Sequence, residues 1–274
     1  MSKSEGAEAK KVKWFEQNPN ESEVPPAATR HLLETYSGIP SDKVFEHVVK
    51  LRDEAWEIFP YPCIGQFRFL EPSFIQLPSE YDEIVQRLRE GQKLLDMACC
   101  FGQTIRELVA GGAPAENIFG CDLQPGFIDM GYKLFKDQDR LQSKFLIADI
   151  FDSNSELAKL KEAFNFVYAG SFFHLWGREG QKKASKAVAS LLKPEKGSMI
   201  LGRQIGAVEA AEQTSATGTM YRHNVESLKQ LWKEIGDELG ATFSVEAKLQ
   251  ELHDIHSKFH SEDTRRIWFV IRRE

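Results

Sequence analysis

"LLDMACCFGQT", residues 94–104, decides how the chain is read. Leucines and a methionine flank an aspartate, a cysteine pair follows, and a lone glycine at 102 precedes residues that suit a helix. The first half reads as a buried strand and the second as the turn that opens a helix. Such a unit is either a loop that cradles a nucleotide or a core strand that happens to end at Gly102. By itself it favours the plainer core strand, because a degenerate glycine loop is weak evidence.

Working outward, apolar runs and helical periods alternate from Lys93 onward. Strand "KLLDM" is followed by helix "QTIRELVA", and strand "NIFGCD" by a helix opening at Pro125. Strand "KFLIAD" precedes a short acidic helix, strand "FNFVYAG" the helix "QKKASKAVASLL", and "SMILGRQI" is a fifth strand. Five short, nearly continuous apolar runs separated by helices are what a parallel sheet covered on both faces requires. A threonine-rich loop and the helix "VESLKQLWKEIGDEL" follow, and the chain closes with "TFSVEAKL" and "RRIWFVIRR". The connection between these last two is too short for a crossover helix, so they pair antiparallel. The expected fold is α/β: a Rossmann-like sheet of five parallel strands plus a C-terminal antiparallel hairpin, with helices on both faces.

Upstream, residues 1–26 are polar, mixed in charge and closed by Pro25 and Pro26, the composition of a mobile tail. Residues 27–90 form an N-terminal helical cap over a core of 91–274. From Ser41, a candidate N-cap, Val44, Val48, Leu51, Ala55 and Ile58 place one apolar stripe on a helix. "PYPCIGQFRFLEPSFIQLP" is punctuated by prolines and reads as non-helical. Residues 79–90 read as a second helix ending at Gly91.

The net charge of −6 argues against a binder of nucleic acid or anionic membrane, which would need a basic field. No apolar run approaches the ~20 residues of a membrane span, and the N-terminus lacks the apolar stretch of a secretory signal. Cys63, Cys99, Cys100 and Cys121 form no CxxC pair, so a reduced, cytoplasmic protein is expected. A homodimer is the assembly allowed for.

In open α/β sheets ligands bind at the carboxyl ends of the strands, where strand order reverses. Three of the first four strand ends carry an acid: Asp96, Asp122 and Asp149. A dinucleotide site would use glycines to approach a diphosphate, yet Ala98 and Cys100 stand there and Asp96 would repel it. Asp122 follows Gly102 at the spacing of a carboxylate that accepts ribose hydroxyls. Asp149 would accept from an adenine amine. Together the acids suit an adenosine with a cationic amino-acid tail, and together they displace the plain-strand reading. Any one of them alone could be a helix N-cap.

With Asp96, Gly102, Asp122, Ala148-Asp149 and "FNFVYAGSFFHL", the stretch 93–205 resembles class I S-adenosylmethionine-dependent methyltransferases. "YSGIP", "AWEIFPYPCIGQFRFL", "LDMACCFGQ" and "YRHNVESLKQLWKEIG" further resemble fungal secondary-metabolite O-methyltransferases of meroterpenoid-pathway type. The resemblance implies S-adenosylmethionine as cofactor and no metal. It implies that Asp96, Met97, Ala98 and the backbone through Gly102 hold the methionine moiety. It puts ribose on Asp122, adenine on Asp149 and Ile150 with Leu123 or Phe127 stacked on it, and the methionine amine near Ala169 and Gly170. The departure is the two missing glycines, which weakens the tight-turn argument at 98 and 100.

The implied acceptor is a largely apolar small molecule methylated on oxygen. A carboxylate acceptor is ionised at neutral pH and needs a cation rather than a base; Arg203, Arg222 and Arg68 are the candidates. A hydroxyl would call for a base, His174 first and His223 second. Tyr61, Phe67 and Phe173, among the aromatics Phe59, Phe69, Phe74, Phe172 and Trp176, would line an apolar pocket or serve only as core. N- or C-methylation, a non-catalytic protein of the same fold, and an NAD-dependent reductase are the rivals. Asp96 and the missing glycines oppose the last. His253, His256 and His260 share a helical spacing, but their polar setting reads as a solvated loop rather than a metal site.

Overall fold

The computed structural model describes residue 12 and residues 14–215, 218–252 and 261–274. The N-terminal part is helical: α1 (Ala27–Thr35), α2 (Val44–Ile58), the single turn α3 (Pro62–Gly65) and α4 (Pro78–Arg89). Strands and helices then alternate as β1 (Leu94–Met97), α5 (Gln103–Ala110), β2 (Ile118–Asp122), α6 (Pro125–Phe135), β3 (Lys144–Ile147), β4 (Phe166–Tyr168), α7 (Arg178–Leu191) and β5 (Met199–Ala207). A hairpin β6 (Ala211–Ser215) and β7 (Gly218–Arg222), then α8 (Val225–Leu239), β8 (Phe243–Glu251) and β9 (Thr264–Arg273), complete the chain.

The main sheet has the order β3-β2-β1-β4-β5-β9-β8. Strands β1 to β5 are parallel, while β9 runs antiparallel to both β5 and β8. The expected α/β architecture is therefore present. Strand order reverses between β1 and β4, which opens a crevice above their carboxyl ends.

Alternation along each strand sends neighbours to opposite faces. Leu95, Met97, Val167 and Ile200 pack with Val188, Trp232 and Ile235 of α7 and α8 on one face. Leu94, Phe166, Tyr168 and Leu201 pack with Ile84 and Leu88 of α4 and Ile105 and Leu108 of α5 on the other. Helix α4 thus covers the sheet itself rather than forming a lid. A third cluster joins Leu33, Val48, Leu51 and Trp56 to Phe101 and to Phe127, Met130 and Leu134 of α6.

Several local expectations are corrected. In the segment read as a mobile tail through Pro26, the described residues are anchored to the fold at several points. Phe15 and Val24 are buried, and the Phe15 ring meets Trp56 edge-on at 4.8 Å between centroids. Ser41 caps no helix: it opens a 3-10 turn and α2 starts at Val44. The proline-punctuated tract contains the α3 turn, because Pro62 stands at its start where no backbone donor is needed. The expected acidic helix is only a 3-10 turn, Ala158–Leu160. Upstream, the Asp152 carboxylate accepts from Asn154 N at 2.9 Å, a bond that competes with helix formation. The threonine-rich loop is the β6–β7 hairpin, in which Thr214 pairs with Thr219. His253, His256 and His260 lie outside the described residues.

Candidate active site

A cleft of about 260 Å³ lies over the carboxyl ends of β1, β2 and β4. Of the residues expected at the cofactor, Asp96, Met97, Ala98, Asp122, Leu123, Phe127, Asp149, Ile150 and Gly170 line it. Tyr61, Arg68 and Arg203 line it from the acceptor set. The topology accounts for this convergence: parallel register brings three consecutive strand ends to one edge.

The loop after β1 has the backbone of a glycine-rich turn with one glycine. Ala98, Cys100 and Gly102 all take positive φ, at 55°, 52° and 64°. Those are the two positions where glycine was missing and the one where it was present. Backbone bonds hold the shape: Cys99 N donates to Cys121 O at 2.9 Å and Gly102 N to Cys99 O at 2.7 Å. Gly102 faces away from the cleft, and a Cβ there would come within 2.5 Å of Arg106 Nη1.

The three acids are held differently. Asp122 accepts from Cys100 N at 2.8 Å and Gln124 N at 2.9 Å, so it braces the β1 loop and opens α6 together. Burial still pushes its pKa up. Exposed Asp149 accepts from Phe151 N at 2.9 Å. Asp96 is buried, its pKa is raised well above the carboxylate range by desolvation, and its Oδ2 has no hydrogen-bond partner among the described residues.

Behind Asp96 runs a polar network that sequence reasoning missed. Its side chain bonds Thr104, whose hydroxyl is 2.9 Å from Ser73 Oγ. Tyr168 Oη donates to Ser73 O at 3.1 Å, and Ser73 N donates to Glu107 at 3.0 Å. Gln103 Nε2 donates to Glu71 O and to Glu107, both at 2.6 Å. Glu71, also missed, stands among three arginines: Arg266 at 2.8 Å, Arg203 at 3.2 Å and Arg68 at 3.8 Å. The available signal was an acid between a hydrophobic tract and a proline in "FRFLEPS", alone insufficient to single it out.

Other expected residues stand elsewhere. His223 is fully buried, with Nδ1 2.8 Å from Ser227 Oγ, and desolvation lowers its pKa to about 4. It packs just ahead of α8 and does not line the cleft. Arg222, beside it, donates to Thr264 Oγ1 at 2.8 Å and does not line the cleft. Phe67 is buried in the cap beneath the Arg52 guanidinium. Phe173 is buried against Trp232 and Phe269, behind the sheet. Ala169 is fully buried and its N–H is committed to Leu201 O, so Gly170 and Ser171 provide the wall there. His174 follows Phe173 in a one-turn 3-10 helix; Phe172, Leu175 and Trp176 line the cleft, but His174 does not.

Residues 14–70 match the meroterpenoid methyltransferase N-terminal domain, and residues 94–195 a methyltransferase domain. The chain is 40% identical to O-methyltransferase atr3 of Stereocaulon alpinum over 269 residues, covering 96% of this chain and 77% of that protein. It is 40% identical to O-methyltransferase phiE of Fungal sp. (strain ATCC 74256) over 285 residues, covering 96% and 93%. It is 42% identical to the asnovolin E/chermesin D methyltransferase nvfJ of Aspergillus novofumigatus over 79% of each chain. The fold is shared with phosphoethanolamine N-methyltransferase 2 of Haemonchus contortus, with a TM-score of 0.52 and 14% identity over 82% of this chain and 60% of that one. The chain is thus an S-adenosylmethionine-dependent methyltransferase and belongs to the family that includes these fungal O-methyltransferases.

Proposed function

We propose that the enzyme methylates an oxygen of a largely apolar small molecule from fungal secondary metabolism, and that the oxygen belongs to a carboxylate. The names of the relatives support oxygen as the acceptor atom, and the N-terminal domain shared with meroterpenoid methyltransferases supports the substrate class. One placement carries the choice of carboxylate. Both histidines considered as bases stand outside the cleft wall, whereas Arg68 and Arg203 stand in it.

The residues present fit the cofactor. A buried carboxylate oxygen without a partner, Asp96 Oδ2, is a costly feature that an ammonium group would satisfy. Asp122, braced by two backbone donors, keeps lone pairs for ribose hydroxyls. Asp149 and Ile150 would hold adenine, with Leu123 or Phe127 against its ring. When bound, the sulfonium supplies an electrophilic methyl group for in-line displacement.

The chain's own residues then position and desolvate. A carboxylate is already ionised at neutral pH, so no side chain need remove a proton. Tyr61, Phe69, Phe172 and Trp176 form apolar wall that excludes water and strengthens the field of the arginines. The 27–90 cap closes the cleft from above, apart from α4. The thiols of Cys63, Cys99, Cys100 and Cys121 are free, in keeping with a reducing, cytoplasmic setting.

Calorimetric titration with S-adenosylmethionine, S-adenosylhomocysteine and NAD, repeated on Asp122→Ala, tests the site. Both adenosyl ligands should bind and NAD should not, and the variant should lose about tenfold or more in affinity. Equal binding by the variant, or preference for NAD, would overturn the assignment of the cleft.

A further inference from the structure

Arg68 is the unresolved charge of the cleft. Its side chain is only 9% exposed, it lines the cavity, and among the described residues it makes no hydrogen bond. Its nearest carboxylate is Glu71, at 3.8 Å. That carboxylate is engaged by Arg266 at 2.8 Å and Arg203 at 3.2 Å. Arg203 is further committed to Pro72 O at 2.7 Å and Glu71 O at 3.1 Å. Three guanidinium groups thus share one carboxylate in a wall largely removed from solvent. The buried Arg68 Nε without a partner is expensive, and the excess positive charge favours an anion.

Local geometry aims this charge. Phe67 takes φ 57°, a left-handed conformation unusual for a bulky residue, and buries its own ring in the cap. The next side chain, Arg68, lines the cleft instead. The segment it begins lies on the first turn of α5, through Gln103 Nε2 to Glu71 O and Ser73 Oγ to Thr104 Oγ1. Arg68 and Asp96 line the same cleft.

We propose that Arg68 is the carboxylate receptor of the cleft. A guanidinium's planar donor fork matches a carboxylate in two parallel hydrogen bonds. Resting on the function proposed above, two such groups enter: the α-carboxylate of the cofactor's methionine moiety and the carboxylate of the acceptor.

The test is calorimetry on wild type, Arg68→Gln and Arg68→Lys. The ligands are S-adenosylhomocysteine, decarboxylated S-adenosylmethionine and, on protein saturated with S-adenosylhomocysteine, 2-naphthoate against 2-naphthamide. If the cofactor's carboxylate is the partner, Arg68→Gln loses about tenfold to a hundredfold for S-adenosylhomocysteine, and none for the decarboxylated ligand. Arg68→Lys should recover part of that loss. If the acceptor is the source, S-adenosylhomocysteine binds unchanged and the preference for naphthoate over naphthamide disappears in the Gln variant. The proposal is overturned if Arg68→Gln binds S-adenosylhomocysteine as wild type does and naphthoate is bound equally by both proteins or by neither. An equal loss for carboxylated and decarboxylated ligands also overturns it, since that reports damage to the cleft. Failure of wild type to bind any adenosyl ligand would instead sink the cofactor reading of the cleft, whatever Arg68 does.

Discussion

At the residue scale, the β1 loop separates two properties that usually travel together, glycine content and glycine-like backbone. Ala98 and Cys100 hold positive φ with side chains attached, each at a cost of order 1–3 kcal/mol that the surroundings must sustain. Gly102 is different because its missing Cβ leaves room for Arg106. That guanidinium is fully buried, bonds Asp137 at 2.9 Å through both Nε and Nη2, and donates to Phe101 O, so it cannot swing aside. Gly102→Ala should therefore cost about 2 kcal/mol or more, from the left-handed conformation plus the displaced arginine. Gly38→Ala is the control, since φ is 66° but no atom lies within 4 Å of the added carbon, and should cost only about 1 kcal/mol. Urea midpoints compare the two, and equal losses would show that Arg106 yields freely. The strand-end acids were legible because each ends a periodic apolar run. Glu71 was not, because its surroundings are assembled from Arg68, Arg203 and Arg266, which are close only after folding. Nor could sequence tell that His223 faces inward, since a position before a helix does not fix a side.

At the scale of elements, the chain from Arg68 to Phe74 is fastened to α5 through Glu107. Both carboxylate oxygens accept from Ser73 N, at 3.0 and 3.1 Å, and Oε1 also accepts from Gln103 Nε2. Desolvation nonetheless pushes its pKa up to about 7, from an ordinary value of 4.5. The folded state therefore holds this proton more tightly than the unfolded chain. As pH rises from about 4.5 to about 7, the unfolded chain ionises first, and the stabilisation present in acid is lost. Glu107→Gln removes that titration while keeping one oxygen to accept from Ser73 N. Asp96 and Asp122 are also raised, so the useful quantity is the difference between wild type and variant. Measured by urea unfolding at several pH values, wild type should lose ground to the variant across that window and hold level above it. A constant difference would mean that Glu107 titrates normally in the fold. The alternation of strand and helix here was legible from period alone. The fastening was not, because the proline-rich tract has no period and takes its shape from α5.

At the scale of the whole molecule, the cap shares a core with the β1 loop and α6 rather than meeting them at a hinge. Phe101 of the β1 loop and Phe127, Met130 and Leu134 of α6 pack with Leu33, Val48, Leu51 and Trp56, and most of these side chains are almost wholly enclosed. Polar links reinforce the seam: Tyr36 Oη donates to Asp137 at 2.8 Å, and Thr29 Oγ1 donates to Leu70 O at 2.6 Å. Asp137 is also the partner of buried Arg106, so one carboxylate ties α1, α5 and the end of α6 together. The sequence separates a helical segment from an α/β one, since their apolar periods differ, but periodicity does not report which surface a stripe meets. Burial on this scale predicts how the molecule unfolds. Removing the cap would expose aromatic and aliphatic surface beside the cleft, each large side chain losing about 1.5–3 kcal/mol of burial. A truncation that begins at Pro78 should therefore fail to fold as a soluble monomer, although it retains every strand of the sheet. The intact chain should unfold in urea as one transition, with far-UV dichroism and tryptophan fluorescence coincident, Trp56 reporting the cap and Trp232 and Trp268 the sheet. Two separated transitions, or a folded monomeric 78–274 fragment, would mean that the cap is an independent unit resting on a self-sufficient core.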